Sequence, residues 1–228
     1  MSHSYFQLPA GRVMCIDGDC AFPRLEDALT EPNGLIAIGG KLTTNRLLDA
    51  YRLGIFPWFS ADEPIMWWSP NPRMVLFPDE LKISTSLKKT LNNHAFETRM
   101  NTGFQAVINA CSNTPRPNQS GTWITPEIIN AYTELHQQGH AICSECWQDN
   151  QLVGGCYGVI IGKMFYGESM FHTQTNASKI AFVKLVKYLE KQGVGLIDCQ
   201  MKTPLLTSFG GREIPRKEFA ERLAKLVN

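Results

Sequence analysis

The chain has 228 residues, 43% of them hydrophobic and 19% charged, with 22 Lys and Arg against 21 Asp and Glu and a formal net charge of +1. That composition supports one large or two unequal domains, is far from a disordered profile, and excludes the uniform basic coat of a histone-like protein while leaving room for a local basic face. No run of about 18 apolar residues marks a membrane span, the start, MSHSYFQLPAGR, has no basic-then-apolar leader, and the seven scattered cysteines read as free thiols of a reducing cytoplasm.

In chain order, the first 20 residues read as an irregular lead-in. A helix is predicted over 44–53, capped by Thr44, with Leu47, Leu48 and Tyr51 on one face and Gly54 at its end. Phe56 to Pro72 is aromatic and punctuated by Pro57, Pro64, Pro70 and Pro72, which forbids a long helix or a central strand. It reads as an ordered connector, so a small N-terminal domain over 1–66 and a larger one over 67–228 are expected, with the boundary inside 56–73. Helices follow near 84–92 and 103–111, then at 126–138, where Thr125 is the N-cap, Pro126 opens the first turn and Gly139 stops it. Strands are predicted at 140–148 and 151–161, joined by the hairpin signal Asp149-Asn150, and at 163–171. A helix at 176–191 carries Phe182, Leu185, Val186 and Leu189 at helical spacing, and a strand at 195–201 and a helix near 216–227 complete the chain. The expected class is α+β (mixed α/β).

Charge is uneven along these elements: residues 1–80 sum to −4, residues 81–120 to +4 and the remainder to +1. Lys82, Lys88, Lys89, Arg99 and Arg116 make the middle segment a basic island, and Lys184, Lys187 and Lys191 stripe one helix opposite its apolar face. Such a stripe is commonly a solvated face; against a polyanion it becomes a set of phosphate contacts.

In Leu196-Ile197-Asp198-Cys199-Gln200, strand alternation puts Asp198 and Gln200 on one face. They mark either a strand end leaving the core or an oriented hydrogen-bonding pair, since buried polar groups require partners. Glu168, in the aromatic run Phe165 to Phe171, is either an edge-strand charge facing water or a carboxylate aimed into a pocket. Cys143 and Cys146 form a CxxC, but residues three apart on a strand point to opposite faces and no second pair follows, so neither metal nor redox chemistry is expected. Cys156 and Cys199 read as small core residues, and His136 and His172 as structural or surface ones. Trp58, Trp67, Trp68 and Trp123 sit in Pro- or Gly-rich stretches, as interface packing or as a stacking platform. The glycines of EPNGLIAIGG form no nucleotide-loop pattern.

Nine motifs in register carry a resemblance over nearly the whole chain from Phe22: EPNGLIAIGG, RLLDAYRLGIFPWFS, PIMWWSPNPR, GTWIT, LVGGCYGV, YGESMF, NASK, LIDCQ and EIPRKEF. Together they resemble the bacterial leucyl/phenylalanyl-tRNA–protein transferase family. Departures are Lys41 and Asn71, each where the family pattern has Asp, Ile-Cys-Ser at 142–144, and the lack of a His in the segment after Gln200.

The resemblance implies a small N-terminal domain plus a C-terminal domain like the GCN5-related N-acetyltransferases, with no metal or dissociable cofactor. It implies transfer of Leu, Phe or, less well, Met from aminoacyl-tRNA to the N-terminal Arg or Lys of an acceptor protein, creating a degradation signal, in the cytoplasm and away from any membrane. Asp198 and Gln200 become the catalytic pair, Gln200 accepting from the attacking amine and Asp198 accepting from the Gln200 carboxamide. Glu168 becomes the receptor of an amino group, of donor or acceptor. Cys156, Phe165, Phe182 and Leu185 are then candidates for the apolar pocket, Trp58, Trp123 and Tyr132 for enclosing the terminal adenosine, and Lys82, Lys88, Lys89, Arg99, Lys184, Lys187 and Lys191 for tRNA contacts. Two rival readings are an acetyl-CoA-dependent N-acetyltransferase of the same fold and a non-catalytic tRNA-binding adaptor. HTQTNASK, which precedes the long helix, has no glycine for a pyrophosphate loop and argues against the first.

Overall fold

Two sheets divide the chain in the computed structural model, which describes residues 4–18, 20–92, 95–114 and 122–227. Strands β1 (Ser4–Leu8), β2 (Gly11–Ile16) and β3 (Leu35–Gly39) lead to helix α1 (Thr44–Arg52) and the short strands β4 (Phe56–Pro57) and β5 (Met66–Trp68). They form a sheet in the order β1-β2-β3-β5-β4, antiparallel except for the β2–β3 pair. The chain continues through β6 (Arg73–Leu76), α2 (Thr85–Asn92), β7 (Glu97–Met100), α3 (Phe104–Asn113) and α4 (Pro126–Gln137). It then runs through β8 (Ala141–Gln148), β9 (Gln151–Ile161), β10 (Met164–His172), α5 (Ala177–Lys191), β11 (Leu196–Gln200), α6 (Pro204–Ser208), β12 (Arg212–Ile214) and α7 (Arg216–Leu226). The second sheet has the order β12-β6-β11-β10-β9-β8-β7, and its one parallel pair among the described strands, β10–β11, is joined by the crossover helix α5. The fold is of the mixed α/β class, with a small N-terminal sheet-and-helix unit.

Each face of the large sheet has its own core. Phe104 and Ile108 of α3, Ile128 and Tyr132 of α4, and Leu47 and Tyr51 of α1 pack on one face. Ile180, Phe182, Leu185 and Leu189 of α5 pack on the other. Gly154 of β9 lets α5 lie directly on the sheet, since a Cβ there would stand 2.6 Å from Ala177.

The local chemistry of the strongest elements is as the sequence predicts. Thr125 Oγ1 accepts from the Ile128 amide to cap α4. Asp149 and Asn150, at φ of 50° and 60°, turn β8 into β9. Cys143 and Cys146 point into opposite cores, and burial raises both thiol pKa values, that of Cys146 to about 11.

Four expectations are corrected. The lead-in is a hairpin, β1 and β2; the side chains of β1 are almost all exposed, so the run lacks the half-buried alternation that signals a strand. The cap of α1 is Thr43, whose hydroxyl accepts from the Arg46 amide, one residue before the expected Thr44. The proline-rich stretch contains a strand inside a sheet, because β5 lies between Pro64 and Pro70 and therefore keeps all its backbone donors. The segment at Arg73–Leu76, read as part of no element, is β6, an interior strand of the large sheet. Asn71, one of the departures, ties the passage between the sheets: its amide donates to Asn33 Oδ1 and its own Oδ1 accepts from the Arg216 amide at the start of α7.

Candidate active site

Glu168 and Gln200 are brought together by two β-bulges on neighbouring strands. In β10 the pairing with β9 shifts between Gly167 and Ser169, leaving Glu168 as the extra residue. In β11 the pairing with β6 shifts between Asp198 and Gln200, with Gln200 in the left-handed region at φ 63°. A bulge turns a side chain out of regular alternation, and here both turn toward the same place: Gln200 Nε2 donates to Glu168 Oε1 at 3.3 Å. Because β10 is an interior strand, Glu168 is not an edge charge.

Glu168 gathers three donors. Tyr51 of α1 donates to Oε1 at 2.7 Å, Tyr132 of α4 donates to Oε2 at 3.2 Å, and Gln200 completes the set. The two tyrosine oxygens also lie within hydrogen-bonding distance of each other; with one proton apiece the tyrosines satisfy two of these three contacts at a time, and the protonated form of Glu168 supplies the proton for the third. Burial pushes the Glu168 pKa to about 8, against the pull of both tyrosine hydrogen bonds toward ionisation. Burial, with Glu168 next in effect, raises both tyrosine pKa values well above the ordinary range, so both hydroxyls stay protonated donors.

Asp198 corrects the expected pair. It is fully buried, and its carboxylate takes a two-pronged ion pair from the equally buried Arg73: Nε to Oδ1 at 2.8 Å and Nη2 to Oδ2 at 2.6 Å. Its link to Gln200 is through the main chain, the Gln200 amide donating to Oδ1 at 2.8 Å. Asp198 and Gln200 do not share a strand face, because the bulge at Cys199 breaks the alternation. Arg73 and Tyr51 join this cluster with no signal in the sequence beyond their places in the PIMWWSPNPR and RLLDAYRLGIFPWFS motifs.

Glu168 and Gln200 lie on the wall of a cavity of 630 Å³, which is also lined by Trp58, Trp123, Cys156, Phe165, Phe182, Leu185, Leu205 and Leu206, among others. The four residues expected in an apolar pocket therefore meet in one, which is walled by α5 on one side and β9, β10 and β11 on another. Tyr132 does not line it: the ring is wholly buried behind Glu168, so it cannot enclose a ligand. Trp58 and Trp123 also border a second cavity of 720 Å³, with Asp62, Glu63 and Trp68 on its rim. Trp68 Nε1 donates to the Trp58 carbonyl at 2.6 Å.

Lys82, Lys88, Lys89, Lys184, Lys187 and Lys191 are all exposed. The last three ride the outer side of α5, whose inner side lines the cavity, and α2, with Lys88 and Lys89, packs beside it. The Arg99 guanidinium is bonded to Glu97 at 2.8 and 2.9 Å and lies over the Trp147 ring. Arg116 lies outside the described residues.

Fold and site define a two-unit mixed α/β protein in which an apolar cavity opens beside a carboxylate–carboxamide pair. The family model of the leucyl/phenylalanyl-tRNA protein transferase matches residues 75–224, and that of the transferase's N-terminal domain matches residues 40–71. A leucyl/phenylalanyl-tRNA–protein transferase of Nitrosomonas eutropha is 59% identical over 210 residues, covering 92% of this chain and 89% of the relative. One of Nitrosospira multiformis is 54% identical over 213 residues, covering 93% and 91%. The chain belongs to the leucyl/phenylalanyl-tRNA–protein transferase family and is an enzyme, an aminoacyltransferase. Among solved structures, a GCN5-related N-acetyltransferase-like protein from Streptococcus suis aligns at a TM-score of 0.38 and 10% identity, over 71% of this chain and 59% of that one. No helix among the described residues is long and apolar enough to cross a membrane.

Proposed function

We propose that the enzyme moves Leu, Phe or, less well, Met from aminoacyl-tRNA to the N-terminal Arg or Lys of an acceptor protein, in the cytoplasm. The observation that carries this reading is the apolar cavity ending at Glu168 and Gln200. Its aliphatic, aromatic and thiol walls admit flexible apolar side chains and exclude charged ones, which suits a shared pocket for these three donors. The donor side chain lies among Cys156, Phe165, Phe182 and Leu185, with its ester carbonyl near Gln200. The terminal adenosine stacks at Trp58 and Trp123, toward the second cavity.

The acceptor's α-amine attacks the ester carbonyl. The C–N bond forms, the bond to the ribose oxygen breaks, and one amine proton is transferred, finally protonating that oxygen. The α-amine has a reference pKa of about 7.7–8.0, and Glu168 at about 8 is matched to it. Ionised Glu168 receives the amine's proton, while Gln200, with its nitrogen turned to Glu168, offers its carbonyl oxygen to orient the amine. Of Asp198 and Glu168, it is Glu168 that faces the cavity and can meet a cationic acceptor residue, because Asp198 is buried and occupied by Arg73. Lys82, Lys88, Lys89, Lys184, Lys187 and Lys191 contact tRNA phosphates. The division into a small N-terminal domain and a larger one, with its boundary inside 56–73, is supported by the passage of the chain from one sheet to the other between β5 and β6.

The test is transfer of labelled Phe from Phe-tRNA to a peptide beginning with Arg. Transfer is expected, with none to a peptide beginning with Asp. Acetylation from acetyl-CoA instead, or Phe-tRNA binding without transfer, would replace this reading with the acetyltransferase or the adaptor.

A further inference from the structure

We propose that Arg73 is a positioning residue of the transfer reaction, acting through Asp198 and the main chain of Gln200. The inference rests on the functional reading above and adds to it a residue that touches neither substrate.

Arg73 begins β6 at the passage between the two sheets, with its side chain wholly buried. Its guanidinium lies between two rings, 4.8 Å from the Phe56 centroid in the N-terminal sheet and 4.6 Å from that of Phe219 in α7. Three separate pieces of chain therefore hold its orientation. A planar fork so fixed presents two N–H groups to one carboxylate in a set geometry, and Asp198 receives both. The same Asp198 Oδ1 that accepts from Arg73 Nε also accepts from the Gln200 amide at 2.8 Å.

That third bond is the informative one. Gln200 adopts a left-handed backbone, which non-glycine residues hold only when their surroundings impose it. The Asp198 carboxylate supplies the acceptor that pins the amide in this conformation, and the conformation sends the Gln200 side chain to Glu168. The chain of control runs from Arg73 to Asp198, to the Gln200 amide, to the carboxamide beside the reacting amine. The Asp198 charge is balanced by Arg73 and directed at no ligand.

The test uses Arg73→Lys, which keeps the charge and loses the fork, and Asp198→Asn, which keeps an oxygen for the Gln200 amide. For each, kcat and KM for Phe-tRNA are measured together with hydrogen exchange at the Gln200 and Ile197 amides. Arg73→Lys is expected to lower kcat about 10- to 100-fold at unchanged KM, and to speed exchange at Gln200 about tenfold or more while Ile197 stays protected. Asp198→Asn leaves the Arg73 charge unbalanced and lowers stability, yet the folded enzyme is expected to keep kcat within about tenfold of wild type. Wild-type kcat in Arg73→Lys despite fast exchange at Gln200, or a fall in kcat with unchanged exchange, overturns the proposal. If Arg73→Lys does not fold, Asp198→Asn decides: a loss as deep as that of Gln200→Ala means the carboxylate charge itself acts on substrate, and the positioning role is wrong. Absence of Phe transfer by the wild type defeats the functional reading and the role of Arg73 with it, whereas a loss confined to Arg73→Lys leaves that reading intact.

Discussion

The Tyr51 hydroxyl of α1 donates to Glu168 Oε1 at 2.7 Å, so a helix of the N-terminal unit reaches 117 residues along the chain to hold the carboxylate of the β10 bulge. Tyr166 strengthens the join by donating to the Tyr51 carbonyl at 2.7 Å. The small N-terminal unit is thus part of the site rather than an appendage to it.

This relationship sets the pH dependence. In the proposed mechanism the ionised form of Glu168 takes the proton, so kcat is expected to rise with pH through about 8. The Tyr51 hydrogen bond favours ionisation, so Tyr51→Phe moves the pKa upward and the rise to higher pH. A pH profile of kcat on the two proteins checks it; a shift to lower pH contradicts the assignment.

The same group affects stability. Its pKa is about 8 in the folded protein against an ordinary value of 4.5. Between those values the unfolded chain has released the proton and the folded chain still holds it, so this group's contribution to stability falls as pH rises from 4.5 to 8 and levels off above. Glu168→Gln removes the penalty: relative to wild type it is expected to gain about 1 kcal/mol or more at pH 8.5 compared with pH 4.5, while losing transfer. Urea unfolding at the two pH values measures the difference.

Breaking the buried ion pair on one side leaves an uncompensated charge in the core. Arg73→Met is expected to cost about 3–5 kcal/mol of stability. The double variant Arg73→Met with Asp198→Leu recovers most of it, since an apolar pair of similar volume needs no counter-charge. Denaturation midpoints of the single and double variants test this, and a double variant no more stable than the single contradicts it.

Cys156 lines the cavity and is nearly fully buried. Cys156→Leu fills cavity space beside Phe165 and is expected to lower kcat/KM for Phe about tenfold more than for Leu, the scale at which apolar pockets discriminate by volume. Competition between Phe-tRNA and Leu-tRNA reads the ratio directly.

Lys184, Lys187 and Lys191 are exposed on one side of α5. Replacing all three with Ala is expected to weaken tRNA binding and reduce the slope of log K against log salt by about 2 to 3. A salt titration of tRNA binding that leaves the slope unchanged would remove these lysines from the interface.

Much of the molecule could be read from short-range patterns. The cap and proline of α4, the Asp149-Asn150 turn and the apolar stripe of α5 each arise within a few residues, where spacing and propensity act. The candidates Cys156, Phe165, Phe182 and Leu185 for one apolar pocket followed from the activity the family resemblance implies, which also made Asp198 and Gln200 the catalytic pair, whereas Glu168 stands out by itself as a carboxylate in an aromatic strand. Alternation failed at Asp198 and Gln200 for a physical reason: a bulge is set by pairing with the strands alongside, and nothing in LIDCQ records that pairing.

By itself, then, the sequence determined the mixed α/β class, most of the helices and central strands, and membership of an aminoacyltransferase family. Only the tertiary structure decided how the carboxylates divide their work. Asp198 meets Arg73 across 125 residues and Glu168 meets Tyr51 across 117; both partnerships form because burial forces each charge or carboxyl to find a donor. Which donor it finds depends on the packing of elements far apart in the chain. The near-neutral total charge, uninformative as a sum, includes lysines on the outside of α5 and two carboxyl groups beneath the surface, one neutralised by Arg73 and one kept protonated by burial.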